Sequence, residues 1–235
     1  MNTRTVHATV HNGLIVPAYF HPALAGEDWA LLAVPTGLVR LVVLNIANGP
    51  GHRPDPAFLP LLERLRAAGS GVLGYVDTAY GQRPRALTCL DLRRYQNWYG
   101  VSAVFFDRVS TDFGQVAHYA ALAESARLLG AEQVVFHHGA RPDPCYAEHA
   151  DLLGVFEGSF SAYQDTVWPQ WTLGRAPVYH LVHGVPPERM PEALGLAAER
   201  GADHVYLTER GGDNPWDGLP AWLAEHQRHA SRGGR

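Results

Sequence analysis

Eight short apolar runs, separated by polar and often amphipathic stretches, constrain the fold of this sequence more than any other feature. They occupy residues 13–20, 38–45, 71–76, 101–107, 133–138, 152–157, 177–182 and 204–208. The runs are continuous rather than alternating, which is how strands read when helices cover the sheet. Between them, Phe58, Leu61, Leu62, Leu65 and Ala68 fall at helical spacing before Gly69. Val116, Tyr119, Ala120 and Ala123 repeat the pattern before Gly130, and Met190, Ala193, Leu194 and Ala197 repeat it before Gly201. Strand, helix, glycine and strand thus recur at roughly 20–30 residues, the size of one β/α unit. A barrel of eight such units needs about 250 residues, and the chain has 235. The expectation is a single-domain α/β fold, a (β/α)8 TIM-like barrel over 13–229. Residues 1–12 read as an N-terminal extension and 230–235 as a frayed tail. The segments after runs five and six are short and weakly periodic, so their helices are the least well marked.

Composition removes several function classes. A net charge of −4 offers no basic footprint for nucleic acid. No apolar run approaches the roughly 18 residues of a membrane span. Residues 1–13 are polar and lack the apolar segment of a secretory leader, so the chain as written reads as cytoplasmic; a secreted chain with its leader removed reads the same way. Cys89 and Cys145 are two thiols rather than a disulfide framework. The 13 histidines match no zinc spacing: His180 and His183, and the adjacent His137 and His138, point to opposite sides of their strands. The turn Asn48-Gly49-Pro50-Gly51 lacks the spacing and the lysine of a phosphate loop, and Gly-x-Ser-x-Gly is absent. No metal and no cofactor is expected, and the oligomeric state is not legible.

The polar residues at strand C-termini carry the chemistry. In a barrel of this class the loops after the strands build the active face. Asp107 ends run four, Glu157 ends run six, Asp77 follows run three, Glu209 follows run eight, Asn45 ends run two and His138 ends run five. Acidic side chains are rarely buried unless paired or functional. Alternate strands share a side-chain layer, so Asp107 and Glu157 can face each other. Two carboxylates flanking a sugar ring are the machinery of glycoside hydrolysis; capping of a neighbouring helix is the plainer alternative for either one alone. Tyr19, Phe20, Tyr75, Tyr80, Trp98, Tyr99, Tyr163, Trp168, Trp171 and Trp216 crowd the same loops, where aromatic faces suit sugars or pack the rim.

Gly13-Leu-Ile-Val-Pro-Ala-Tyr-Phe20, Asn48-Gly-Pro-Gly51, Gly74-Tyr-Val-Asp-Thr-Ala-Tyr-Gly81, Tyr95-Gln-Asn-Trp-Tyr-Gly100 and Val104-Phe-Phe-Asp107 occur in that order. Val155-Phe-Glu157, His180-Leu-Val-His-Gly184 and Val205-Tyr-Leu-Thr208, then Pro215-Trp216, follow. Over about residues 13–220 the chain resembles the spherulin-4-like family, glycoside hydrolases acting on galactosaminogalactan-type polysaccharides. The resemblance implies a TIM-like barrel, an α-linked N-acetylgalactosamine-type substrate and catalytic carboxylates at the ends of strands four and six, hence Asp107 and Glu157. It favours retention, with Asp107 as nucleophile or charge stabiliser and Glu157 as acid/base. Tyr19, Asn45, Tyr75, Asp77, Tyr80, Arg108, His138 and Glu209 are the expected substrate-binding residues.

Two positions depart from the family pattern. Asp107 is followed by Arg108 where a second carboxylate is expected, and His137-His138-Gly139 stands where an Asn-Pro-Gly-like turn is expected. Arg108 has three readings: it pairs with Asp107 and lowers its pKa, it binds an anionic substrate group, or it turns away to the surface because adjacent strand residues point oppositely. Burial against an apolar rim including Phe156 is expected to raise the pKa of Glu157. Besides the glycosidase, a non-catalytic sugar-binding barrel and an intracellular enzyme acting on a small anionic sugar-derived substrate fit the residues.

Overall fold

The computed structural model describes residues 13–168 and 176–233; Trp171 and the extension 1–12 lie outside them. Eight strands close a parallel barrel in sequence order: β1 (Leu14–Ala18), β2 (Val39–Leu44), β3 (Gly71–Asp77), β4 (Ala103–Asp107), β5 (Val134–His137), β6 (Leu152–Ser159), β7 (Val178–His183) and β8 (His204–Leu207). The ring shuts where Leu14 pairs with Val205. Each apolar run is therefore a strand, and most of their residues are buried.

Among the described residues, seven α-helices pack outside: α1 (Gly26–Leu32), α2 (Leu59–Ala67), α3 (Arg85–Tyr99), α4 (Val116–Leu128), α5 (Phe160–Asp165), α6 (Met190–Glu199) and α7 (Ala221–Gly233). The longest, α3, docks on β3 through Tyr95, whose hydroxyl donates to Leu44 O at 2.8 Å. Its ring lies where a side chain on Gly74 would be, 2.6 Å from the position of a Cβ there, so only glycine lets the helix come this close. The helix α7 runs four residues into the segment that reads as a tail. The weakly periodic regions behave as their patterns imply. After β5 there is no α-helix, only a 3-10 turn over Pro144–Glu148 capped by Asp143; after β6 comes the six-residue α5, capped by Ser159.

Both cysteines are free thiols. Among the described residues no helix is long and apolar enough to cross a membrane, and no three His, Cys, Asp or Glu side chains group to hold a metal.

Candidate active site

Strand register decides which side chains reach the barrel mouth. Tyr75 pairs with Phe105 and Asp77 with Asp107 across β3 and β4. Phe105 pairs with Val135, and His137 pairs with Gly154 of β6. Residues 105, 107, 135 and 137 therefore share the inner face. Inside the barrel, stacked rings run from Tyr75 to Phe105 (6.2 Å between centroids), Phe105 to His137 (5.2 Å) and His137 to Tyr179 (5.6 Å). The edge of Tyr19 meets Tyr75 at 5.6 Å.

The two predicted carboxylates hang on this stack, Asp107 on its first ring, Tyr75, and Glu157 on its third, His137. Tyr75 donates its hydroxyl to Asp107 Oδ2 at 2.6 Å. Glu157 Oε2 lies 2.5 Å from His137 Nε2, and Trp216 Nε1 donates to Glu157 Oε1 at 3.0 Å. Behind, His137 Nδ1 is hydrogen-bonded to Tyr179 Oη at 2.6 Å. The Tyr19 hydroxyl is held far above its ordinary pKa, by burial first and then by the charges of Asp107 and Glu157. Tyr179 is raised by the same three causes. Both phenols thus feel both carboxylates.

Protonation here follows partners rather than burial. Burial alone would raise the Glu157 carboxyl, but the hydrogen bond and charge of His137, the Trp216 N–H and the nearby His183 outweigh it, leaving the pKa lowered. Burial alone would lower the His137 imidazole, but Glu157 and then Asp107 outweigh it, leaving the pKa raised. The two shifts agree on an imidazolium–carboxylate pair. This corrects the expectation that an apolar rim raises Glu157: Phe156, the residue before it, packs on Tyr163 at 4.7 Å and on Trp168 at 6.3 Å. Its ring belongs to the outer layer, and the partners of Glu157 outweigh its burial.

Arg108 is also corrected. It pairs with Asp77 rather than Asp107, and its side chain stays exposed. Its Nε donates to Asp77 Oδ1 at 2.8 Å and its Nη2 to Asp77 Oδ2, while the guanidinium lies 5.6 Å over the Tyr80 ring. A backbone φ of 51° breaks the strand alternation that would have turned it outward. Burial would raise Asp77, but the Arg108 fork, the Ala79 N–H and Arg83 hold it below the ordinary carboxylate value.

The remaining predicted residues are engaged locally. Asn45 Oδ1 accepts from Gly49 N at 3.1 Å and closes a turn. Glu209 Oε1 accepts from Ala221 N at 2.7 Å at the start of α7. His138 faces outward, packs on Tyr146 at 4.7 Å between ring centroids and bonds Ser110 O through Nδ1 at 2.9 Å. The geometry therefore gathers Tyr19, Tyr75, Asp107 and Glu157, sets Asp77, Tyr80 and Arg108 beside Asp107, and gives Asn45, His138 and Glu209 structural bonds. Sequence reasoning passed over His137 and Tyr179. The usable signal was parity: if Asp107 points inward, the pairing of Phe105 with Val135 selects His137 rather than its neighbour.

Comparison with known proteins agrees with this architecture. The crystal structure of Aspergillus clavatus Sph3 in complex with GalNAc superposes with a TM-score of 0.77 at 23% identity, covering 94% of this chain and 98% of that one. A putative deoxyribose-phosphate aldolase from Toxoplasma gondii shares the barrel with a TM-score of 0.58 at 12% identity, covering 98% and 94%. At these identities the likeness is one of fold. Spherulin-4 of Physarum polycephalum is 28% identical over 151 residues, which span 63% of this chain and 45% of that protein, so the chain matches less than half of that relative's length. The family model for spherulation-specific family 4 matches residues 13–228, and the chain belongs to that family.

Proposed function

We propose that the protein is a glycoside hydrolase that cleaves an α-linked N-acetylgalactosamine- or galactosamine-type glycan with Asp107 and Glu157. The observation that carries this reading is that the two carboxylates, from β4 and β6, hang on one run of stacked rings, Asp107 on Tyr75 and Glu157 on His137 with Phe105 between them. An oxocarbenium-like transition state needs one carboxylate to meet positive charge at the anomeric carbon and another group to exchange a proton with the leaving oxygen. Tyr19 and Tyr75 give aromatic surface beside Asp107, and the Trp216 ring borders Glu157. The galactosamine-type substrate is drawn from family membership and from the sugar named with the Sph3 structure. A small anionic substrate would have relied on Arg108, whose fork is already occupied by Asp77.

Incubation with galactosamine-containing and uronic-acid oligosaccharides, followed by product analysis, tests the reading. Cleavage of the former is expected, with Asp107→Asn and Glu157→Gln each losing about 10²–10⁴-fold in rate. Binding without cleavage by the parent protein would mark a sugar-binding barrel. Parent rates in both variants on a cleaved substrate would make the pair structural. The anomer released first decides retention against inversion.

A further inference from the structure

The structure builds a complete seat for the His137 imidazole at the end of β5. One ring face stacks on Phe105 and the other on Tyr179, at interplanar angles of 22° and 23°. One nitrogen meets Tyr179 Oη at 2.6 Å and the other Glu157 Oε2 at 2.5 Å. The side chain is 4% exposed, whereas Glu157 at 36% still opens to the mouth. The room comes from Gly154. A Cβ there would stand 2.3 Å from His137 Nδ1 and 2.4 Å from Tyr179 Oη, well inside van der Waals contact with both. The register of β6 against β7 shifts between Gly154 and Phe156, so Glu157 follows directly on the irregularity. A bulge of this kind re-aims the side chains after it.

We propose that His137 is a positioning residue, seated by Tyr179 in the space left by Gly154, that holds Glu157 as the ionised member of the carboxylate pair. The consequence is a division of labour at the mouth. Glu157 carries the negative charge that meets the anomeric centre, and Asp107, with Tyr75 on Oδ2, is the group left to exchange a proton with the leaving oxygen. The imidazole at 137, not the guanidinium at 108, sets that division, because Arg108 is spent on Asp77. Five ionisable groups couple to the His137–Glu157 pair: Tyr19 just after β1, Asp107 from β4, Tyr179 and His183 from β7, and the adjacent His138. Of these, His183 reinforces the carboxylate, Asp107 reinforces the imidazolium in its ionised form, once its proton has passed to the leaving oxygen, and His138, held neutral by burial, adds no charge at neutral pH.

The catalytic consequence rests on the glycosidase reading; the coupling of the two side chains does not, and the test separates them. Carboxyl ¹³C NMR of labelled glutamate follows Glu157 ionisation in the parent, His137→Gln and Tyr179→Phe proteins without any substrate. The Gln amide preserves a donor to Oε2 but carries no charge. Loss of a neighbouring cation is expected to move the Glu157 midpoint up by about 1–3 pH units in His137→Gln, and by less, in the same direction, in Tyr179→Phe. An unchanged midpoint in both overturns the proposal. If His137→Gln does not fold, the Tyr179→Phe midpoint decides alone. On a cleaved glycan, the acidic limb of the kcat/KM profile is expected to move with the NMR midpoint; a limb that stays in place while the midpoint moves overturns the assigned role. If the parent cleaves no glycan, the functional reading fails, and the NMR result still decides the coupling.

Discussion

Arg108 illustrates how much one backbone angle decides. With φ at 51° it joins Ala79 (48°) and Tyr80 (55°) in the left-handed region, which costs a non-glycine residue roughly 1–2 kcal/mol each. The loops hold one another there: Tyr80 N donates to Arg108 O at 2.8 Å and Thr78 N to Asp107 O at 3.0 Å. The Thr78 hydroxyl reaches both carbonyls, at 2.8–2.9 Å. The result is an arginine fork aimed at Asp77 beside the catalytic candidate. Arg108→Ala removes the fork and keeps the strain. Because the Arg108 side chain is 45% exposed, the lost pair is worth about 1 kcal/mol. Arg108→Gly relieves the strain and is expected to be about 1 kcal/mol more stable than Arg108→Ala in urea unfolding. Equal stabilities would show that the left-handed conformation is not what the loop imposes.

Among elements, β6 is the one on which the site depends most. It is the longest strand, carries Glu157, and bends at Gly154. Gly154→Ala puts a methyl group into the His137–Tyr179 hydrogen bond, an overpacking expected to cost about 1–3 kcal/mol and to disturb Glu157 titration. The matched control is Gly195→Ala in α6, where an added Cβ meets nothing within 4 Å; helix propensity predicts a gain of up to about 1 kcal/mol. Thermal melts of both variants check the contrast, and a neutral Gly154→Ala would mean the seat has slack. The neighbouring β5–β6 connection shows why an element can be missing. Its sequence carries Pro142 and Pro144 and no apolar stripe, so nothing there rewards a helix over a short 3-10 turn.

For the molecule as a whole, buried histidines set the acid limit. His138 and His180 are held down to about 3 by burial. Both lie between the barrel and its outer layer, His180 bonding Tyr163 Oη at 2.8 Å. A histidine lowered from 6.5 on folding takes up protons only when the chain unfolds, so stability falls as pH drops from about 6.5 toward 3. The carboxylates of Asp77 and Glu157, lowered in the fold, add their own loss only below their ordinary values of 3.8 and 4.5. His137, raised, works in the opposite sense: its contribution is complete below 6.5 and is lost as pH rises through its folded value. The urea midpoint is therefore expected to decline already between pH 6.5 and 5, ahead of carboxylate protonation. A flat midpoint across that interval would remove the histidines as the cause.

Local chemistry settled the strands and the main helices, and it put Asp107 and Glu157 at strand ends. Short continuous apolar runs bounded by glycine and proline suit strands covered on both sides, and Asp107 and Glu157 end two of them. Helix ends followed from glycines, and the weak periodicity after runs five and six corresponded to a turn and a six-residue helix. What only the tertiary structure decided was the direction of each side chain and its partner. His137 and His138 are adjacent and chemically identical in the chain; register across β4 and β5 sends one to Glu157 and the other to Ser110. Arg108 reads as an outward strand residue until a positive φ turns it to Asp77. Glu157 reads as a desolvated acid until His137 supplies a counter-charge. Runs and caps depend on neighbours a few residues away, whereas charge pairing depends on groups that meet only when the barrel closes: 20 residues separate His137 from Glu157, 31 separate Asp77 from Arg108, and 59 separate Glu157 from Trp216.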